Sequence, residues 1–259
     1  MGAVSYELVP SERLSTSAQH GGRANITFDV RRFESIDSTN RYLLDEARAG
    51  APEGVVAVAD HQTAGRGRQG RSWVAPPGGS LLVSVLLRPR AEHRPLVMAA
   101  AGLALADGVA AVAGFAPELK WPNDLVVESR KLAGILAEVD SDAVVVGAGC
   151  NVEWHEVPTE VTDIATACNL VAGRSVDRDA LLEAYLIELG RRAARLVDVP
   201  QEYRRRLGTL GRAVRVELAD GTTTGRAVDL GPSGELIVDT DDGTTLSVHA
   251  GDVVHLRDA

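Results

Sequence analysis

The chain has 259 residues, 45% of them apolar, and a formal net charge of −9. That length suits one large domain, or one with a small satellite, around a real core. The acidic balance argues against a protein that coats nucleic acid, and two cysteines, Cys150 and Cys168, make no disulfide framework and suit a reducing compartment.

Residues 1–26 are polar and read as a disordered leader, with no apolar segment after a basic start and so no signal peptide. A first helix is expected from Ser38 to about Gly50, capped by Asp37 or Ser38, with Tyr42, Leu43 and Ala47 inward. Val55 to Ala59 and Leu81 to Leu87 read as buried strands. Leu96 to Ala113 is apolar enough to raise a membrane reading. It is short, rich in alanine and glycine and interrupted by Asp107, so a buried helix is expected. Lys131 to Val139 and Ala143 to Gly149 look like paired strands joined at Asp140-Ser141-Asp142, and a late helix runs from about Asp177 to Leu196. The texture changes near Leu207. Beyond it Val214, Val216, Leu236, Val238, Leu246 and Val248 alternate with polar residues, and Asp220-Gly221 and Asp242-Gly243 are hairpin signals. This predicts a small all-β domain, a barrel that closes its own edges.

Five segments carry chemistry. In His61 to Trp73, Arg66, Arg68 and Arg71 alternate with Gly65, Gly67 and Gly70 after a buried strand. Glycine lets backbone approach a ligand, arginine grips phosphate or carboxylate with a forked donor, and Trp73 offers a flat face to an aromatic ring. A nucleotide site fits. So does a solvated or RNA-contacting basic loop, because the segment is neither a P-loop nor a dinucleotide fingerprint. Lys120-Trp121-Pro122-Asn123-Asp124 presents Asn123 and Asp124 at a turn after an extended Trp-Pro step; a simple Pro-Asn turn is the alternative. Lys131 begins an apolar strand, where it either meets an anion such as phosphate or points to solvent. Gly147-Ala148-Gly149 leaves room for close approach, and Ser38-Thr39-Asn40 opens the first helix, as caps or as a polar ligand site. Cys150 lacks a partner base and reads as packed.

In this order and combination the segments resemble the biotin protein ligase family, from about Phe28 to Arg257, with Gly225 to Leu236 and Gly251-Asp252-Val253 similar to its C-terminal part. Thr166 to Leu170 departs from the family's Thr-Ser-Leu pattern. The resemblance implies an α+β fold: a class II aminoacyl-tRNA synthetase-like catalytic domain, residues 27–207, with a mixed sheet and helices, then an SH3-like barrel, residues 208–259. It implies an enzyme that joins biotin to ATP as biotinyl-5'-AMP, with Mg2+, releases pyrophosphate and passes biotin to a lysine of the biotin carboxyl carrier domain of an acyl-CoA carboxylase. A lipoate–protein ligase-like enzyme is the alternative.

By the same resemblance Ser38, Thr39, Asn40, Gln62, Arg66, Gly67, Arg68, Lys131, Gly134 and Leu136 form the biotin site. Arg66, Arg68, Arg71, Trp73, Asn123, Asp124, Lys131 and Asn151 hold the nucleotide, with Asp124 as a metal ligand and Asn151 near adenine or ribose. Lys131 and Arg68 are the catalytic cations. Residues 64–73 are expected to order over the ligand, shielding the adenylate from water. The expectation is completed by a cytoplasmic, monofunctional enzyme, monomer or homodimer, without DNA-binding or membrane role.

Overall fold

The computed structural model describes residues 8–15, 26–157, 159–218, 221–249 and 251–255. Eight strands and five helices come first: β1 (Leu8–Ser15), β2 (Thr27–Ile36), α1 (Thr39–Arg48), β3 (Val55–Gln62), β4 (Ser80–Leu87), α2 (Val97–Ala113), β5 (Glu118–Lys120), β6 (Asp124–Val127), β7 (Arg130–Asp140), β8 (Ala143–Asn151), α3 (Cys168–Ala172), α4 (Arg178–Ala193) and α5 (Val199–Arg206). Five more strands follow: β9 (Ala213–Leu218), β10 (Gly221–Leu230), β11 (Leu236–Thr240), β12 (Thr245–Val248) and β13 (Asp252–His255).

The large sheet runs β1-β2-β3-β4-β8-β7-β6-β5. Only β2 and β3 are parallel, joined by the crossover helix α1; every other neighbour is antiparallel. α1 covers one face through Leu43 and Leu44, over Phe33, Ile36, Ala57, Leu86 and Val145. α2 and α4 cover the other face. The apolar run read as a buried helix is α2, with Val97, Leu103, Leu105 and Val109 fully enclosed. At Gly108 an added Cβ would lie 3.3 Å from Leu181 and from the backbone nitrogen of Tyr185, so glycine sets how closely α4 approaches. The charge at Asp107 is matched rather than buried alone. Arg192, 2% exposed, bridges Asp107, Glu188 and Glu202, while Arg206 adds a second contact to Asp107, tying α2, α4 and α5 together.

The expected elements lie where periodicity put them. Ser38 caps α1, Asp177 caps α4 through the backbone nitrogens of Asp179 and Ala180, and Ser141 (φ 56°) turns β7 into β8. Leu8–Ser15 is a correction: expected inside a disordered leader, it pairs antiparallel with β2, with a register shift between Val9 and Glu12. An irregular edge strand containing Pro10 shows little alternation to read. The short β5 and β6 carry no usable period either.

The second sheet has the order β12-β11-β10-β9-β13. Val214 and Val216 face inward while Arg215 and Glu217 face out. Among the described residues no pairing joins β12 to β13, so the closed barrel expected from alternation is an open five-stranded series. The Asp242-Gly243 turn is present (Gly243 φ 86°), whereas Asp220 lies outside the described residues. Both sheets share one apolar cluster, running from Val56 and Leu103 through Leu207 to Val214 and Val253.

Candidate active site

Where the two sheets meet, a cavity of about 320 Å³ opens. It lies at the lower end of the range typical of small-molecule sites. Its walls come from the start of α1, the end of β3, residues 66–73, β4, Lys120 to Asp124, β7, β8 and the β9 and β13 strands.

One end is a buried hydrogen-bond network. Ser38, Thr39 and Asn40 are 2%, 3% and 4% exposed. The Thr39 backbone N–H donates to Gln62 Oε1 at 2.8 Å, and the Thr39 hydroxyl stands 3.1 Å from the same oxygen and 2.7 Å from Ser84 Oγ. Ser84 donates to Asn40 Oδ1 at 2.6 Å, and Asn40 Nδ2 donates to Leu136 O at 3.3 Å and to Glu138 Oε2 at 2.9 Å. Each group fixes the orientation of the next. Gly147 completes the packing, since a Cβ there would lie 2.2 Å from Asn40 Oδ1.

The other end is cationic. Lys131 Nζ is 2.7 Å from Asp124 Oδ1 and 5.6 Å from the centre of the Trp73 ring. The Lys131 backbone is clamped on both sides, its N–H donating to Ile164 O at 2.8 Å and its carbonyl accepting from the Thr166 N–H at 2.9 Å. Asn123 is clipped to β7 through Nδ2 to Ile135 O at 2.6 Å. Lys120 lines the same region. The motif itself is tied to the C-terminal part of the chain: Trp121 N–H donates to Thr209 Oγ1 at 3.0 Å, before β9, and Trp121 Nε1 to Gly234 O at 2.9 Å, in the turn between β10 and β11.

Residues 64–73 fold back as a narrow loop. Trp73 N–H donates to Gly65 O at 3.0 Å and Gly67 N–H to Arg71 O at 2.7 Å, with Gln69 (φ 55°) at the tip. Gly65 is required by proximity, because a Cβ would meet Trp73 O at 2.5 Å. Arg66 reaches Glu138 Oε1 at 2.9 Å, Arg68 donates to Asn123 Oδ1 at 3.4 Å and Gly251 O at 3.3 Å, and Arg71 pairs with Asp252. Burial draws the Arg68 pKa below its ordinary value, Asp252 partly restoring it and Arg71 opposing. Asp124 also favours the charged form of this guanidinium.

Trp73 lies flat on the floor made by Gly134 and Gly149, which face each other across β7 and β8. A Cβ on Gly149 would be 2.6 Å from the indole ring. Trp73 Nε1 is buried with no hydrogen-bond partner among the described residues.

The structure thus brings together Ser38, Thr39, Asn40, Gln62, Arg66, Gly67, Arg68, Arg71, Trp73, Asn123, Asp124, Lys131, Gly134 and Leu136 around one cavity. Asn151, expected near adenine or ribose, is not on its wall. It is 3% exposed, with Oδ1 accepting from Ser80 Oγ at 3.3 Å and Nδ2 donating to Thr166 O at 3.0 Å. Its amide is spent on joining β4 to the loop before α3. Cys150 is packed, and the neighbouring Cys168 thiol together with burial pushes its pKa well above the usual thiol range. For Asp124 as a metal ligand the fit is poor. Its carboxylate faces Lys131, and among the described residues no group of three or more His, Cys, Asp or Glu could hold an ion.

Sequence reading missed Ser84, Glu138, Asp252 and Glu217. Ser84 had a signal, as a polar residue inside the otherwise apolar Leu81–Leu87 run. Asp252 entered only within the Gly251-Asp252-Val253 resemblance, without a role, and Glu138 and Glu217, on strands far apart in sequence, had no local signal.

Comparison with known proteins gives two family matches, the biotin/lipoate A/B protein ligase family over residues 32–153 and the biotin protein ligase C-terminal domain over residues 209–256. The biotin–[acetyl-CoA-carboxylase] ligase of Mycobacterium tuberculosis is 42% identical over 232 residues, 85% of this chain and 86% of that protein. The bifunctional ligase/repressor BirA of Bacillus spizizenii is 31% identical, covering 80% of this chain and 68% of its own length. Among solved structures, the Aquifex aeolicus biotin protein ligase in complex with biotin and ATP superposes with a TM-score of 0.75 at 29% identity, over 88% of this chain and 99% of that one.

Proposed function

This chain belongs to the biotin protein ligase family, and from that premise we propose how its cavity divides the work of the reaction. The enzyme activates biotin with ATP and transfers it to a carrier lysine. A biotin carboxylate oxygen attacks the α-phosphorus of ATP, the bond to the β-phosphate bridging oxygen breaks, and pyrophosphate leaves. The amine of the carrier lysine then attacks the acyl carbon of biotinyl-5'-AMP, loses a proton, and AMP departs.

The observation that carries the assignment is the polarity of the cavity along β7. Gly134, Leu136 and Glu138 share one face of that strand at a period of two. The Lys131–Trp73 end sits by Gly134, and the Asn40–Ser84–Thr39–Gln62 network sits one step along, beside Leu136. A ureido head has two N–H donors and one acceptor, which the network end can match. A lipoate dithiolane ring offers nothing to pair with it. The carboxylate and α-phosphate then fall toward Lys131, Arg68 and Arg71, where two anions have to be brought together. Trp73, whose Nε1 has no hydrogen-bond partner among the described residues, packs near the base. Magnesium, which the residues here do not cage, is assigned to no protein ligand and to no step.

The finer architecture goes with this reading: a class II synthetase-like unit to about Leu207 and an SH3-like unit after it, which the five strands in the order β12-β11-β10-β9-β13 support. The reading is of a monofunctional cytoplasmic ligase. The net charge of −9 disfavours a polyanion partner, and two buried free cysteines suit a reducing compartment. The partner is a biotin carboxyl carrier domain. ATP–pyrophosphate exchange tests the assignment: stimulation by biotin and not by lipoate supports it, and stimulation by lipoate alone reverses it.

A further inference from the structure

We propose that Glu138 is a positioning residue that couples recognition of the biotin head to closure of the arginine–glycine loop. The inference rests on the biotin-ligase reading above. Glu138 stands on the same face of β7 as Gly134 and Leu136, one step beyond the network, and its side chain is 21% exposed. Its two carboxylate oxygens are divided. Oε2 accepts from Asn40 Nδ2 at 2.9 Å, at the buried start of α1. Oε1 takes Arg66 Nη2 at 2.9 Å, on the loop whose Arg68 and Arg71 reach Asn123, Gly251 and Asp252.

Each contact has a distinct consequence. Asn40 Oδ1 is engaged by Ser84, so Glu138 on the opposite side keeps the amide from rotating and fixes which polar atom the cavity meets. Arg66 is half-exposed, and while Arg68 and Arg71 hold the loop to Asn123, Gly251 and Asp252, the pair with Glu138 ties it to β7 at the α1 end. A ligand that settles against the α1 start thereby stabilises the loop through a single carboxylate, with no chain of moving parts. A charge is needed, since an amide in its place would keep the Asn40 contact and lose the ion pair.

The test compares the wild-type full chain with Glu138→Gln, Arg66→Gln, the double variant and Glu138→Asp, with melting curves as the check on folding. Biotin KM and kcat come from ATP–pyrophosphate exchange, and loop closure from the protection biotin gives against trypsin. Glu138→Gln is expected to raise biotin KM about tenfold, the scale of one charge-assisted contact, with kcat at saturating biotin within about threefold, and Arg66→Gln, at a residue that also lines the cavity, to raise biotin KM at least as much. Biotin protection of residues 66–71 is lost, the double variant is no worse than the worse single, and Glu138→Asp partly recovers. Multiplying KM effects in the double variant, or an unchanged KM with a lowered melting point, overturns the coupling. If Glu138→Gln does not fold, Arg66→Gln decides alone, because retained biotin protection and unchanged KM there overturn it too. Absence of biotin-dependent exchange in the wild type would instead count against the functional reading itself.

Discussion

Replacing Lys131 by alanine removes one cation from the point where the biotin carboxylate and the α-phosphate must meet. Two unit charges about 4 Å apart interact by about 4 kcal/mol at an effective dielectric near 20. The Lys131 side chain is 37% exposed, so screening trims this, and about 3 kcal/mol is the scale that single electrostatic contacts show in transition states. At 1.36 kcal/mol per decade that is a loss of roughly a hundredfold in adenylate formation. Stability should change little. The pair with Asp124 is partly solvated on both sides, and such pairs contribute about 0–1 kcal/mol. The assay is biotin-dependent ATP–pyrophosphate exchange with the melting temperature beside it, and Lys131→Arg as the charge-keeping control. A folded Lys131→Ala protein exchanging within about threefold of wild type would refute the placement of charge at this position.

Gly149→Ala puts a methyl 2.6 Å from the Trp73 ring, about 1 Å inside ordinary contact, so the indole should lift from its floor. Its fluorescence should shift to the red and the ATP KM rise about tenfold at unchanged fold, a scale of one lost stacking contact; unaltered emission would show that Trp73 does not rest there. Arg66, Arg68 and Arg71 make the 64–73 loop a trypsin target. Cleavage should slow with biotin plus ATP, and equal rates with and without them would count against a closing shield. The His255 pKa is lowered to about 4 by burial, then by Lys120 and Arg212. A group depressed from 6.5 in the unfolded chain is neutral when folded, so unfolding takes up a proton and stability should fall as pH drops from about 6.5 toward about 4. Melting curves across that range should show the slope, and His255→Gln should flatten it; an equal slope in both would assign it elsewhere.

The parts of this molecule legible in the sequence are those whose signals are local. α2 declares itself by a long apolar run broken only at Asp107, α1 and α4 by caps, and β7–β8 by a two-residue turn between apolar runs. The arginine–glycine loop and the Lys-Trp-Pro-Asn-Asp segment declare themselves by residue types that ordinary packing rarely places together. The links between segments are made by strand pairing and stay hidden. Nothing local marks Glu138 as the partner of both Asn40 and Arg66, or Asp252 as the partner of Arg71, since sequence separations of 98, 72 and 181 residues are closed only by the sheets. Asn151 shows the converse case. It shares a strand face with Gly147 and Gly149, which do reach the cavity, but its amide is held by Ser80 and Thr166. β1 was hidden because an edge strand needs no apolar face of its own.

The most direct measurement is intact-protein mass spectrometry of a biotin carboxyl carrier domain incubated with this enzyme, biotin and ATP, with a carrier lacking its acceptor lysine in parallel. A gain of one biotinyl group, dependent on ATP and on that lysine, is the predicted result. No gain from an enzyme that melts cooperatively, or an equal gain on the lysine-less carrier, would contradict the account.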